Sequence, residues 1–328
     1  MPTLLNMTAP LRDDFDIPYH DLGPQDRPPR LAIVAGVHGN ELNGVFVLSR
    51  LADFLAQLQT RGKSDQTLRE RVLIIPAVNV LGLNTRNRFW PFDKININRM
   101  FPGQTNGETT QRIAAAVLNV TRQAYYRVDV HTSNQDTEEM PQVRLYGPND
   151  DERATACLFG LPAVIERCTN SMLTNTLGHV WRQYGGENFI IQCGLAGALQ
   201  AHHCETLFRG LVAFLNRTGI VTGLTLAEDE DDLHYFGLKQ SFAIISEQAG
   251  IFVSRLNVGR WVQAGEWIGD IYDGFSGRIR AQITAPAPGL LSSLRRQPLL
   301  CEGDLIARLL TARESGDSVD QILHGQGQ

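Results

Sequence analysis

Residues 31–41 read LAIVAGVHGNE, and this stretch decides the fold. Its first seven residues form a continuous apolar run, which is typical of a buried strand in a parallel sheet. The segment that follows, 41–59, carries apolar side chains at helical spacing, among them Val45, Leu48 and Leu51. A buried strand that leads directly into a helix is the repeating unit of α/β sheets, so we expect a fold of that class.

The strand and helix unit recurs along most of the chain before residue 227. Further strands are predicted at 71–80, 125–131, 143–147 and 188–193, and further helices at 108–121, 172–184 and 202–217. We therefore predict a mostly parallel mixed sheet with helices on both faces.

An acidic run, AEDEDDLH at 227–234, interrupts this rhythm. Runs of like charge are usually solvated links, so we predict a domain boundary there. The expected division is an α/β domain over residues 1–230 and a smaller β-rich domain over residues 231–328. Beyond the acidic run, glycines separate short strand-like segments, which is typical of an all-β unit.

The predicted β-rich domain contains a weak internal repeat. VQAGEWIG at 262–269 resembles LLCEGDLIA at 299–307. Two similar halves of this kind favour a barrel-sandwich arrangement like that of biotinyl and lipoyl carrier domains. The last lysine of the chain is Lys239, which precedes both halves, so no side chain in the repeat could be lipoylated or biotinylated. A carrier role is excluded, and a structural or lid role remains.

The composition of the 328 residues excludes several classes of function. Acidic side chains number 35 and basic ones 30, giving a net charge of −5, which argues against a nucleic-acid partner. The longest apolar runs fall far short of the roughly 20 residues that cross a membrane. The N-terminus lacks the basic start and apolar run of a secretory signal, so we expect a cytoplasmic protein. Whether it forms a homo-oligomer stays open.

The strongest chemical signal lies at the end of the first buried strand. His38 and Glu41 follow that strand in the pattern HxxE, and His131 ends another predicted strand in DVHTS. The carboxyl ends of parallel strands meet at one edge of a sheet, so the three side chains are expected to converge. Imidazole and carboxylate groups are ligands of zinc, and catalytic zinc sites use three protein ligands. The sequence therefore predicts a zinc site.

From about residue 30 to the C-terminus, the sequence resembles the succinylglutamate desuccinylase/aspartoacylase family, which is related to zinc carboxypeptidases. The resemblance is carried by GVHGNE, by RFWPFDKININRMFPG at 88–103, by DVHTS and by the glycine-rich β unit. It implies that His38, Glu41 and His131 bind one Zn²⁺ per chain.

The resemblance also implies how a small-molecule carboxylate substrate is held. Asn98 and Arg99, which precede a Phe-Pro-Gly turn, match the family's carboxylate-binding pair, and Arg88 matches an assisting arginine. The planar guanidinium group of arginine suits this role because it pairs with both oxygens of a carboxylate. Arg182, in a predicted helix, could reach the acyl end of such a substrate. The implied reaction is hydrolysis of the amide bond of a small N-acyl amino acid or a related compound, with zinc as the cofactor.

One position departs from the family pattern. The family places a general base in a strand-borne ExG motif, and the matching segment here is FIIQCG, with Gln192 at the position of the glutamate. Glutamine cannot accept a proton, and loss of a general base typically costs about 10²- to 10⁴-fold in rate. Glu247 could replace it, whereas Glu187 lies about 16 Å along the same strand and is too distant. Alternatively, the substrate is activated, or the protein is a catalytically weak zinc-dependent binding or sensing protein.

A second HxxE pattern, HHCE at 202–205, begins a predicted amphipathic helix. Polar residues in the first turn of such a helix are more often solvated or capping than metal-bound. No GxSxG and no GxxxxGK pattern occurs, so serine-hydrolase and P-loop chemistry lack support.

Overall fold

A computed structural model describes residues 1–8, 14–61, 65–169, 174–226 and 233–312. Its strands are β1 (Thr3–Met7), β2 (Phe15–Pro18), β3 (His20–Leu22), β4 (Leu31–Ala35), β5 (Thr67–Leu68), β6 (Val72–Ile75), β7 (Tyr126–His131), β8 (Thr137–Tyr146), β9 (Ala163–Arg167), β10 (Glu187–Gly194), β11 (Val221–Thr222), β12 (His234–Phe236), β13 (Ser241–Ile245), β14 (Gly250–Ser254), β15 (Trp261–Val262), β16 (Trp267–Tyr272), β17 (Ile279–Thr284), β18 (Gly289–Arg295), β19 (Leu299–Leu300) and β20 (Leu305–Leu310).

The α-helices are α1 (Leu42–Arg61), α2 (Val80–Thr85), α3 (Thr109–Thr121), α4 (Asp150–Ala156), α5 (Leu177–Trp181) and α6 (Ala201–Arg217), and short 3-10 helices occur at Ile97–Arg99, Cys157–Phe159 and Arg182–Tyr184. The helix predicted at 172–184 corresponds to α5 and the 3-10 turn after it, while the start of that prediction lies outside the described residues. Most of the acidic run, 227–232, also lies outside them. None of the described helices combines the length and the apolar character needed to cross a membrane.

Over the described residues, twelve strands join in one mixed sheet whose main order is β13-β20-β18-β8-β10-β7-β4-β6-β3. The central strands β6, β4, β7 and β10 are parallel, as the apolar runs predict. Strand β8 runs antiparallel to β10, because only a short loop separates β7 from β8 and a parallel return requires a long crossover. The sheet is therefore mixed α/β, with its parallel part confined to the centre and to the branch that adds β9 and β12 beside β8.

Helices cover both faces of the central strands. On one face, α1 and α6 pack against a core that includes Ile33 of β4 and Val128 of β7. On the other face, α3 and α5 pack against Val34 of β4 and Ile75 of β6. Because neighbouring residues such as Ile33 and Val34 face opposite sides of a strand, both faces are apolar and both need a helical layer.

The C-terminal strands divide between two sheets. Strands β14, β16, β17 and β19 form a separate four-stranded sheet, whereas β13, β15, β18 and β20 extend the large one. The two sheets share an apolar core that includes Phe252, Ile271, Leu294 and Leu309. Strand β18 pairs directly with β8, so the C-terminal strands continue the sheet of the α/β region. The barrel-sandwich arrangement and the domain boundary stay predictions.

Candidate metal centre

His38, Glu41 and His131 come together at the carboxyl edge of the parallel strands. The Nδ1 atom of His38 lies 2.7 Å from Oε1 of Glu41, and Nδ1 of His131 lies 3.0 Å from Oε2 of the same carboxylate. All three side chains are buried, and their donor atoms lie within 4.8 Å of one another. Among the described residues, this is the group of histidine and acidic side chains arranged to hold a metal ion.

Strand order explains this convergence. His38 and Glu41 lie in the loop after β4 and just before α1, while His131 is the last residue of β7, the parallel neighbour of β4. Gly39 lets this loop pack against the chain around α2, since a Cβ at that position would overlap backbone atoms of Gly82 and Asn87. The backbone N–H of Gly39 donates to the carbonyl of Arg88 at 3.2 Å. This close contact brings Arg88 to the three residues.

Arg88 contacts two of the three residues directly. Its Nη1 atom donates to Oε1 of Glu41 at 3.3 Å, and its Nη2 atom lies 3.2 Å from Nε2 of His38. About 37% of its side chain is exposed, so the guanidinium group also borders the adjoining cleft. Arg88 can therefore contact both the metal centre and a ligand in the cleft.

Asp129 supports His131 and was missed by the sequence analysis. Its Oδ2 atom lies 2.9 Å from Nε2 of His131, and its carboxylate is almost fully buried. Alternate residues of a strand share a face, so the DxH spacing in DVHTS was the signal that could have identified it. This contact lacks hydrogen-bond geometry, but it places negative charge beside Nε2 while Nδ1 faces Glu41.

The charges in this group depend on one another. Burial alone would raise the pKa of Glu41, but His38 and His131 hold it well below its usual range. Burial alone would lower the pKa of His131, but Asp129 and Glu41 raise it to about 10. Burial lowers the pKa of His38, and Glu41 offsets only part of that effect. The group thus combines an ionised carboxylate with two imidazoles of different proton affinity.

Asn98 and Arg99 lie in the 3-10 helix at Ile97–Arg99, outside the set of residues that line the cleft. The amide oxygen of Asn98 accepts a hydrogen bond from the backbone N–H of Leu177 at 3.0 Å, which ties this turn to the start of α5. Nη1 of Arg99 donates to the carbonyl of Asn98 at 3.3 Å. The structure does not place this pair in contact with the metal centre, so their role in carboxylate binding stays a prediction.

A cleft of about 590 Å³ adjoins the metal centre and contains Gln192. Gln192 lies in register with His131 on β7 and with Gln142 on β8, so the three side chains share one face of the sheet. The cleft is also lined by Arg88, Asn40 and other residues of the loops, and its acidic residues are Asp136 and Glu139. The structure therefore places the residue at the family's base position beside the metal centre.

Neither glutamate considered as a replacement for that base reaches the cleft. Glu187 lies at the opposite end of β10, where its Oε1 atom accepts a hydrogen bond from the hydroxyl of Tyr125 at 2.9 Å. Glu247 is exposed in the turn between β13 and β14. Strand β13 lies four strands from β10, which corresponds to about 19 Å along the sheet, and Glu247 is not among the residues that line the cleft, so its role as the base stays a prediction.

Arg182 lies in the 3-10 helix after α5, and its side chain is held by neighbouring groups. Nη2 donates to the carbonyl of Gly147 at 2.6 Å, and Nη1 lies 3.4 Å from Oε2 of Glu152. It lines a narrow cavity that is separated from the cleft by Arg144, which contributes to both. A role at the acyl end of a substrate stays a prediction.

The HHCE segment at the start of α6 does not form a metal centre. Nε2 of His203 lies 2.7 Å from Oε1 of Glu138, and Glu138 also pairs with Arg296. Glu205 pairs with Arg50 at 3.1 Å instead of turning toward His203. These side chains have separate partners within the described part of the protein, as expected for structural residues.

Comparison with known proteins identifies the relatives of the chain. A family model described as the succinylglutamate desuccinylase/aspartoacylase catalytic domain matches residues 27–216. The chain is 27% identical over 297 residues to the N-alpha-acetyl-L-2,4-diaminobutyric acid deacetylase of Halomonas elongata, covering 88% of this chain and 83% of that protein.

Solved structures agree at the level of the fold. The product-bound structure of the ectoine utilization protein EutE (DoeB) from Ruegeria pomeroyi matches with a TM-score of 0.73 and 22% identity over 94% of both chains. A succinylglutamate desuccinylase/aspartoacylase from Rhodobacter sphaeroides matches with a TM-score of 0.71 and 22% identity, covering 91% of this chain and 90% of that one. The family model spans more than half of the chain, and the chain therefore belongs to the succinylglutamate desuccinylase/aspartoacylase family.

Proposed function

We propose that this protein is a zinc-dependent amidohydrolase that removes the acyl group from a small N-acyl amino acid or a related carboxylate-bearing compound. The observation that carries the proposal is the buried group of His38, Glu41 and His131 beside an open cleft lined by Arg88. The deacetylase name of the Halomonas elongata relative supports the same class of reaction.

The residues present fit a zinc ion. Two imidazoles and one carboxylate form a donor set found in zinc hydrolases, and the spacing of their donor atoms suits ligands of one ion. Nδ1 of His131 faces Glu41, as a shared ion requires, and the carboxylate of Asp129 lies 2.9 Å from Nε2 on the other side of the ring. When bound, zinc supplies a Lewis acid that polarises a carbonyl group and acidifies water.

The side chains of the cleft have separate tasks in this proposal. Arg88 orients a carboxylate or a carbonyl group of the substrate, since its guanidinium group borders both the cleft and Glu41. Gln192 positions a water molecule or the scissile carbonyl through its amide, which donates and accepts hydrogen bonds. The buried Oδ1 atom of Asn40 has no hydrogen-bond partner among the described residues, so it is available to a polar ligand.

Hydrolysis adds water across the amide bond, and one proton of that water must reach the leaving nitrogen. Gln192 cannot carry it. Among the described residues, Asp136 and Glu139 are the carboxylates that line the cleft outside the metal centre. Both oxygens of Glu139 accept from Nη2 of Arg144 at 2.6 Å, whereas the carboxylate of Asp136 makes no hydrogen bond to a described residue. The carboxylate of Asp136 is therefore more available than that of Glu139 to accept a proton, and we assign the proton transfer to Asp136.

A second candidate function is a catalytically weak zinc-dependent binding or sensing protein. The observation that favours it is Gln192 itself, which occupies the base position in the cleft but cannot take a proton. Both candidate functions require the same metal centre and the same class of ligand, and only the hydrolase converts its ligand to product.

A substrate screen separates the two functions. Purified protein with its zinc content measured is incubated with N-acetyl- and N-succinyl-amino acids, and free amino acid is quantified for the parent and for Gln192→Glu. Turnover by the parent is expected. Turnover by the Gln192→Glu variant alone would favour the binding protein, and absence of zinc from the parent would contradict both functions.

A further inference from the structure

A second, smaller pocket opens from the cleft, and its lining is rich in arginine. It has a volume of about 200 Å³ and contains Arg144, Arg167 and Arg308 together with a single carboxylate, that of Glu139. The pocket and the cleft share Ser133, Asn134, Glu139 and Arg144. A small molecule in the cleft could therefore extend into the pocket.

Strand register explains how distant parts of the chain build this pocket. One edge of β8 is divided, because its first residues pair with β18 and its last residues pair with β9. Glu139 is in register with Ser293 of β18, which is in register with Arg308 of β20. Arg167 is the last residue of β9. The pocket thus combines side chains from the α/β region and from the C-terminal strands.

The positive charges in the pocket are only partly matched. Glu139 pairs with Arg144, but the guanidinium of Arg308 has no hydrogen bond or ion pair to a described residue. Arg167 donates to the hydroxyl of Ser241 at 3.3 Å, which adds no negative charge. Burial lowers the pKa of Arg167 to about 10, and the charges of Arg144 and Arg308 contribute to the shift. Three guanidinium groups and one carboxylate leave two positive charges without an acidic partner.

Two buried polar atoms near the pocket also lack partners. Nε of Arg144 and Oγ of Ser293 are inaccessible and form no hydrogen bond to any described residue. A ligand cannot reach these two atoms, so the accessible guanidinium groups that line the pocket, those of Arg144, Arg167 and Arg308, are the donors available to a ligand with several acceptor oxygens.

We propose that Arg144, Arg167 and Arg308 form an anion subsite that binds a carboxylate or phosphate group of a small molecule. The subsite lies on the β8 side of His131, whereas Arg88 lies on the side of the loop after β4. The metal centre stands between two cationic groups, so a molecule that spans the cleft can place one acidic group at each. Arginine suits such binding because its fork of donors pairs with two oxygens at once.

A binding experiment on the full-length protein tests the subsite. Sodium succinate and inorganic phosphate are titrated by calorimetry into the parent, Arg308→Gln, Arg167→Gln and Glu139→Gln. Arg308→Gln and Arg167→Gln should each weaken binding by about tenfold, and Glu139→Gln should tighten it because the competing carboxylate is removed. Arg209→Gln is the matched control, since its side chain is 76% exposed on α6 and the change in net charge is the same.

The proposal is overturned if the parent binds neither probe, or if both arginine variants bind as tightly as the parent. Circular dichroism establishes that each variant is folded. If Arg308→Gln does not fold, the affinity of Arg167→Gln for the two probes tests the subsite.

A kinetic experiment identifies the source of the anion, and this part rests on the proposed hydrolase function. If the subsite holds an acidic group of the substrate, Arg308→Gln should raise KM for an N-succinyl-amino acid by about tenfold and leave KM for the N-acetyl analogue unchanged. If it holds a free anion, the two substrates should respond equally while phosphate binding still weakens. Absence of any hydrolysis would contradict the proposed function alone, because the calorimetric result does not depend on turnover.

Discussion

The candidate metal centre (His38, Glu41 and His131) and the arginine pocket (Arg144, Arg167, Arg308 and Glu139) adjoin the same cleft but differ in how their charges are matched. In the metal centre, Glu41 contacts both histidines and Arg88, and His131 has a further partner in Asp129. In the pocket, three guanidinium groups share one carboxylate. The first group is compact enough to hold a small cation, whereas the second has a surplus of charge that only an anion can offset. The difference indicates that the cleft is built to receive unlike groups at its two sides.

The largest effect is expected from the loss of a proposed metal ligand. His131→Ala removes one of the three proposed zinc ligands, so we expect loss of bound zinc. Mutation of a residue that only hydrogen-bonds to a zinc ligand typically costs about 10- to 100-fold, and we expect kcat/KM to fall by much more than that. Elemental analysis of purified protein and an assay on the best substrate of the screen measure the two effects.

His202→Ala is the control for that variant, because His202 is an exposed histidine on α6 that does not line the described cleft. Equal zinc content in His131→Ala and the parent would contradict the assigned ligands. Unchanged phosphate binding in His131→Ala would show that the arginine pocket works independently of the metal centre.

The same two regions show what can be predicted from sequence. His38, Glu41 and His131 were predictable because each lies at or just beyond the end of a buried parallel strand, and such strand ends meet at one edge of a sheet. Asp129 was accessible in principle from the alternation of strand residues. Arg308 was not, because its position depends on the register of two antiparallel pairings that no local pattern encodes.

Glu247, which the sequence offered as a replacement base, does not line the cleft for a related reason. The sequence places it at the entrance of the β-rich region, but β18 and β20 pair between β8 and β13 and move that entrance away from the cleft. The order of strands in an antiparallel region does not follow from their order along the chain, whereas the central parallel strands are ordered by the short connections between strand and helix.

The next largest effect concerns the proposed proton acceptor in the cleft, Asp136. Asp136→Asn should lower kcat by about 10²- to 10⁴-fold, since an amide cannot take the proton of water, while zinc content should not change. Steady-state kinetics at several pH values provides the measurement.

Two further variants serve as a control and as a test of the alternative proton acceptor. Glu302→Gln replaces an exposed acid in the C-terminal region and should leave kcat unchanged. If Glu139→Gln rather than Asp136→Asn abolishes turnover, the acceptor lies within the arginine pocket and the division of the cleft into two regions fails.

A smaller effect sharpens the assignment of partners at the metal centre. Asp129→Asn keeps the size of the side chain but removes the charge at Nε2 of His131, so zinc affinity should fall by about 10- to 100-fold. Competition with a chromophoric chelator measures it. Asp151→Asn, an exposed residue on α4, is the control, and an unchanged affinity in Asp129→Asn would mean that Asp129 is only a packing residue.

The smallest effect compares two adjacent glutamates that differ in their surroundings. Glu139 lies in the arginine pocket, whereas Glu138 contacts His203 at 2.7 Å and pairs with Arg296 elsewhere.

Burial alone would raise the pKa of Glu138, but His203 and Arg296 lower it to about 2. A carboxyl whose pKa is lower in the folded than in the unfolded state stabilises the protein above the unfolded value of 4.5, and this contribution is lost as the pH falls toward 2. Glu138→Gln should therefore lower the free energy of unfolding by about 1–2 kcal/mol at pH 7, with a smaller difference at pH 3. Urea denaturation at both pH values measures the difference, and a pH-independent difference would mean that the glutamate acts through packing and not through its charge.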